Sequence, residues 1–133
     1  MTHPGNSPLR AFAVLGALFG ALGVVFGAFG AHALHGHLDD AALQVWHTAV
    51  EYQFWHALAL LAISLSPVEL SRWLRASGVA FVVGILLFCG SLYALALGAP
   101  HLIGVVTPLG GAALIAGWLL FAIALSRAPS SKS

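Results

Sequence analysis

The run Leu9–Ala31, LRAFAVLGALFGALGVVFGAFGA, decides the fold. It carries one charge, Arg10, at its start, and no other ionisable side chain before His32. A helix needs ~20 residues to cross a hydrocarbon core of about 30 Å, and this run supplies them. Three comparable runs follow, Leu43–Leu65, Ala76–Leu97 and Pro108–Leu125. Arg72 and Arg75 lie between the second and third, and Arg127 and Lys132 follow the fourth. The other two connections, His32–Ala42 and Gly98–Thr107, hold no Lys or Arg. Basic residues beside membrane spans favour the cytoplasmic side. The sequence therefore predicts an all-α integral membrane bundle of four transmembrane helices with both termini cytoplasmic. The expected location is the inner (plasma) membrane, crossed several times. Residues 9–126 form the transmembrane domain, with disordered cytoplasmic tails at 1–8 and 127–133.

Composition agrees. Of 133 residues, 60% are apolar and 7% charged, whereas a soluble domain carries about 25% charged residues. The net charge is +1 and the basic residues only flank the spans, so no basic stripe exists to grip nucleic acid. Cys89 is the one cysteine and can form no internal disulfide. Ala31-His32-Ala33 looks like a signal-peptide cleavage site, but the apolar run before it is longer than the ~7–15 residues of a signal core. The first run is therefore expected to stay in the protein as a span.

Gly16, Gly20, Gly23, Gly27 and Gly30 recur at spacings of 4, 3, 4 and 3. Small residues on one helix face let backbones approach closely in lipid, so this stripe is expected to be a helix-packing seam. Asp39 is a suitable N-cap for the second helix, with Leu38 and Leu43 in staple positions. Thr107-Pro108 has the form of an N-cap followed by proline at the first helical position.

The second run is polar in its first half, with Gln44, His47, Thr48, Glu51, Tyr52, Gln53 and His56, and nearly pure hydrocarbon after Ala57. Gln44, His47, Glu51 and Trp55 share one face, while Thr48, Tyr52 and His56 form the adjacent ridge. An acid or base at mid-membrane costs about 2.5–3.5 kcal/mol on the insertion scale, so such residues are expected to face the bundle or the outer interface. His56 lies deepest and needs a partner for each ring nitrogen. The candidate polar cluster is His32, Glu51, Tyr52, Gln53, His56, Ser91 and Tyr93. Three uses compete for it: a satisfied network that fixes helix packing, a metal site in which His47 and Glu51 share one ion, or a path for protons or small solutes.

Other chemistry lacks a scaffold. There is no H-E-x-x-H, no G-x-S-x-G elbow and no phosphate loop, since the glycine-rich stretches lie inside apolar runs. No second mid-membrane histidine stands opposite His56 to hold a haem. No catalytic residue, resident metal or cofactor is expected, and the chain does not read as an enzyme.

Four stretches, one per run, together carry a resemblance. They are Gly27–Leu34 (GAFGAHAL), Glu51–Leu58 (EYQFWHAL), Phe88–Tyr93 (FCGSLY), and Thr107–Gly111 (TPLGG) with Ala116–Trp118 (AGW). In this order and spacing the chain resembles the YgdD-like family of small inner-membrane proteins, a family classed as of unknown function. The resemblance spans all but the tails and implies a four-helix membrane protein. Its pattern takes in His32, Tyr52, Gln53, His56, Ser91, Tyr93 and Thr107, and it departs at Cys89, where a small residue is expected. It implies no substrate, cofactor or catalytic residue. The expectation is a non-enzymatic accessory or assembly subunit, in contact with membrane lipids and self-associating or joined to a larger membrane complex. A small-solute or proton transport component and an intramembrane metal protein are the alternatives.

Overall fold

The computed structural model describes residues 7–129. Most of both expected tails, with Lys132, lies outside the described residues. Within them the chain is entirely helical apart from its connections. The elements are α1 (Ser7–His32), α2 (Asp40–Leu65), α3 (Arg72–Gly84), a π-helical turn (Ile85–Cys89), α4 (Gly90–Ala96), a 3-10 turn (His101–Val105) and α5 (Val106–Arg127). The α3, π-helical and α4 segments run on without a break, so the third apolar run is one long rod. Three stretches are long and apolar enough to cross a membrane: Pro8–His32, Arg72–Ala96 and His101–Arg127. The second expected span, α2, is also 26 residues long, but Glu51, Gln53 and His56 dilute its apolar character and it does not join that set.

Helix ends follow local chemistry. Asp39 caps α2 as expected, its carboxylate accepting from Ala42 N at 2.8 Å, and Leu38 and Leu43 pack in one cluster beneath it. Ser71 caps α3, accepting from Leu74 N at 3.1 Å. At the end of α4, Gly98 N bonds Leu95 O and Ala99 N bonds Ala94 O, the paired pattern that closes a helix on a left-handed residue. Gly98 supplies that residue at φ 96°. Two boundaries differ from expectation. Pro8, placed in the N-terminal tail by sequence, lies in the first turn of α1, where its missing N–H is harmless. Thr107 is not an N-cap. The helix has already begun at Val106, continuing the 3-10 turn, and the Thr107 hydroxyl is used elsewhere.

α1 lies along α2, and α3 along α5, as the two most extensive pairings. The glycine stripe builds the first. A Cβ on Gly16 would stand 2.9 Å from Ala57 O, one on Gly23 3.1 Å from the Phe54 ring, and one on Gly30 2.5 Å from Trp46 Nε1. Gly27 meets Val50 at ordinary contact distance, and Gly20 meets nothing within 4 Å. The packing seam is therefore the seven-residue series Gly16, Gly23, Gly30, with Gly20 outside it. The second pairing has its own close approaches, where Gly84 receives Leu114 and Gly117 receives Phe81. Phe12, Leu60, Ile63, Leu74, Phe81 and Leu114 fill the centre.

The arginines gather at one end of the bundle. Arg10 shares a surface hollow with Ser64 and Leu65, and the guanidinium groups of Arg72 and Arg127 lie 4.9 Å and 5.6 Å from the centre of the Trp73 ring. Arg75 is one turn along α3 from Arg72. The opposite end holds the His32–Asp39 connection and the turn at Gly98.

Candidate functional site

Gln53 is the first inward polar side chain on α2. Its amide ties three helices: Nε2 donates to Phe19 O of α1 at 2.8 Å, and Oε1 accepts from the Tyr93 hydroxyl at 2.7 Å. An amide buried without partners would lose its hydration with nothing in return, so both bonds hold it in place. The Tyr93 ring packs edge-on against Phe26 and Trp46, with centroids 5.0 and 4.6 Å away. Trp46 donates its Nε1–H to Phe26 O at 2.8 Å, directly above Gly30.

One turn deeper, His56 is 4% exposed. Its Nε2 lies 3.1 Å from Trp118 Nε1 on α5. Indole nitrogen can only donate, so Nε2 accepts and Nδ1 carries the proton. That proton goes to Tyr52 O, 2.6 Å away. Both ring nitrogens are therefore satisfied in the neutral form. Tyr52 stacks on the imidazole at 5.9 Å, and Trp118 packs against Phe81 with centroids 5.0 Å apart.

A third set surrounds the π-helical turn. Ser91 Oγ lies 2.6 Å from Thr107 Oγ1 and donates to Phe88 O at 3.0 Å. A π-helical turn displaces carbonyls from their usual partners, and here a serine hydroxyl meets one of them. Gly110 passes so close to the turn that a Cβ there would collide with the Phe88 backbone. Ser77, buried within α3, donates to Gly117 O at 2.7 Å.

The expected cluster thus divides. Gln53 joins Tyr93, His56 joins the Tyr52 carbonyl, and Ser91 joins Thr107, with no hydrogen bond linking the three sets. His32 and Glu51 are exposed and make no side-chain hydrogen bond among the described residues. The row Gln44, His47, Glu51 and Trp55 does share a face, but that face points out of the bundle. The inward side of α2 is taken instead by Leu43, Trp46, Val50, Gln53, His56, Leu60 and Ile63, at spacings of 3 and 4. Among the described residues no three of His, Cys, Asp and Glu converge on a metal position. A groove of about 530 Å³ runs beside His56, walled by Tyr52, Trp55, Phe88, Ile115 and Trp118. Its lining is aromatic and aliphatic, and the Tyr52 hydroxyl has no partner among the described residues.

Sequence reading missed Trp46, Ser77 and Trp118 as bonding partners. The available signal was that an indole N–H in an apolar helix must find an acceptor.

A family described as "Protein of unknown function (DUF423)" matches residues 26–111. The chain belongs to the DUF423 family. It is similar to the UPF0382 membrane protein YwdK of Bacillus subtilis, 42% identical over 118 residues, which cover 87% of this chain and 96% of that protein. The UPF0382 membrane protein SH2409 of Staphylococcus haemolyticus is 41% identical over 86% of this chain and 94% of its own length. A UPF0382 membrane protein of Haemophilus influenzae is 40% identical over 84% of this chain and 90% of its own. No solved structure matches. This DUF423 chain is accordingly a membrane protein of a family of unknown function, all-α, with three helices long and apolar enough to span.

Proposed function

We propose that this DUF423 protein is a non-enzymatic accessory or assembly subunit of the plasma (inner) membrane, built as four crossings with both termini cytoplasmic, and that the YgdD-like resemblance reflects common membership. The observation that carries the proposal is the complete use of the buried polar groups. Gln53, His56, Ser77 and Ser91 each have partners, and among the described residues no buried side-chain nitrogen or oxygen lacks one. Catalysis needs a group free to meet substrate, whereas these groups join one helix to another. The alternative of transport has less support, because both His56 nitrogens are engaged and the groove beside it is mostly apolar.

The fourth crossing is supported by length and direction. At 1.5 Å per residue α2 is about 39 Å long, enough to span with some tilt. It returns the chain from the end remote from the arginines to the end that bears them. Placing that arginine end in the cytoplasm follows the positive-inside rule. A topology reporter fused after Ser133 is expected to score cytoplasmic, and an extracytoplasmic result would overturn the orientation. For the function itself, the protein is purified from native membranes in mild detergent and weighed intact by native mass spectrometry. An assembly of defined stoichiometry is expected, and a bare monomer would refute the subunit role.

A further inference from the structure

We infer that the outward face of α2 docks against the same face of a second copy of this chain, with His47 of each copy bonded to Glu51 of the other. The inference rests on the proposed membrane assembly role and names the partner.

Gln44, His47, Glu51, Trp55 and Leu58 are all exposed and follow one another at spacings of 3, 4, 4 and 3. That is a straight seam along one side of a helix, the pattern by which paired helices meet. The seam runs deep. Glu51 lies 14 residues from Leu65, which places it about 21 Å from the arginine end of the bundle and inside a hydrocarbon core of about 30 Å. A carboxylate at that depth faces protein or a water-filled cavity rather than lipid. Within the described residues nothing covers it.

A second copy supplies the cover. Both copies insert in the same direction, so a two-fold axis along the membrane normal sets their α2 helices side by side at equal depth. Identical residues then stand at one level across the axis, and each side chain also reaches diagonally to the residue one turn along in the other copy. The imidazole of His47 faces the carboxylate of Glu51 in the other copy, and the same contact repeats on the other side of the axis. The two groups are complementary, and one chain carries both. Any other protein would have to bring its own acceptor and donor to the same depth. Below this pair, Trp55 and Leu58, 53% and 61% exposed, continue the seam with apolar surface.

The test is cysteine cross-linking in native membranes. Cys89 is 1% exposed, so the unmodified chain serves as a blank. Leu58→Cys keeps His47 and Glu51 and is expected to give a disulfide-linked band at twice the monomer mass. Leu22→Cys, on the exposed side of α1, is expected to give none. Adding Glu51→Lys to Leu58→Cys should lower the cross-linked fraction about tenfold, by removing the carboxylate from both contacts and bringing two ammonium groups to the seam. Exchanging the pair, His47→Glu with Glu51→His, should restore it. Unchanged melting of Glu51→Lys in detergent separates loss of docking from loss of folding. A band of some other mass would mean that a different protein covers the seam, which overturns the second copy and leaves the assembly role standing. No cross-link from Leu58→Cys, or a yield indifferent to Glu51→Lys, overturns the inference. A bare monomer by native mass alongside that result would remove the assembly role too.

Discussion

The bond between His56 and Trp118 should appear as a coupling energy. Trp118→Phe keeps an aromatic ring against Phe81 but removes the N–H that lies 3.1 Å from His56 Nε2. His56 is 4% exposed, so no water replaces the lost donor. A buried acceptor left unpaired costs about 1–3 kcal/mol. His56→Leu has a similar volume and removes the acceptor, leaving the indole N–H without its partner. It also gives up the Nδ1 bond to Tyr52 O, although that carbonyl lies within α2 and keeps its helical partner. Each single substitution therefore strands a polar group, whereas the double variant strands neither. Replacing both partners of a hydrogen bond by apolar groups is close to neutral for that bond. The double variant should thus lose less than the two singles added together, by about 1 kcal/mol or more. Denaturation in a detergent series followed by far-UV circular dichroism measures all four corners of the cycle without using Trp118 as the probe. Additivity to within about 0.3–0.5 kcal/mol would refute the coupling. If His56→Leu alone leaves the transition unmoved, the packing role of the polar interior fails.

Further outcomes follow from the close contacts. Gly30→Ala drives a methyl to 2.5 Å from Trp46 Nε1 and breaks its bond to Phe26 O, so a loss of about 1–3 kcal/mol is expected in the same denaturation assay. Gly20→Ala, with nothing within 4 Å, should stay within about 0.5 kcal/mol of the parent. Tyr93→Phe leaves Gln53 Oε1 without its donor and should cost about 1–2 kcal/mol, and Gln53→Leu added to it should cost little more for that bond. Gly110→Ala collides with backbone rather than a side chain, so it should destabilise more than Gly30→Ala, and helix-proximity labels on α4 and α5 should move apart.

The sequence revealed the rods better than their rotation. Length and apolar composition place a helix in each run, and Asp39 and Gly98 mark ends by chemistry that acts within one turn. The π-helical turn at Ile85–Cys89 left no such mark. ILLFC reads as ordinary helix, and the widened turn coincides with the closest approach of the bundle, Gly110 against the Phe88 backbone, a tertiary contact. The site shows the same division. Gln53, His56, Ser91 and Tyr93 stand out as polar residues in apolar helices, so they are legible one by one. Their partners, beyond one another, are a tryptophan that counts as apolar, three backbone carbonyls and a threonine that resembles a cap. Which side of α2 faces inward was not legible either. Periodicity groups Gln44, His47, Glu51 and Trp55 on one face, but a polar stripe in a membrane helix meets its own bundle or a partner equally well. Here Gln53 and His56 already occupy the inner face, and the stripe is left outside.

The stretches that carry the family resemblance gain a physical meaning from these bonds. Gly30 in the first is the floor beneath Trp46. Gln53 and His56 in the second reach Tyr93 in the third and Trp118 in the fourth. Ser91 in the third reaches Thr107 in the fourth, where Gly110 and Gly117 also make the close approaches of α5. Each stretch is thus one half of a contact whose other half lies on another helix. In lipid the apolar surface of a helix has little preference between its neighbours and the bilayer, so matched polar pairs and bare glycine faces must select one arrangement of the four rods. A motif set of this kind specifies how a bundle packs. The outward row of α2 takes part in none of these bonds, with Gln44 and His47 ahead of the second stretch and Glu51, Trp55 and Leu58 within it.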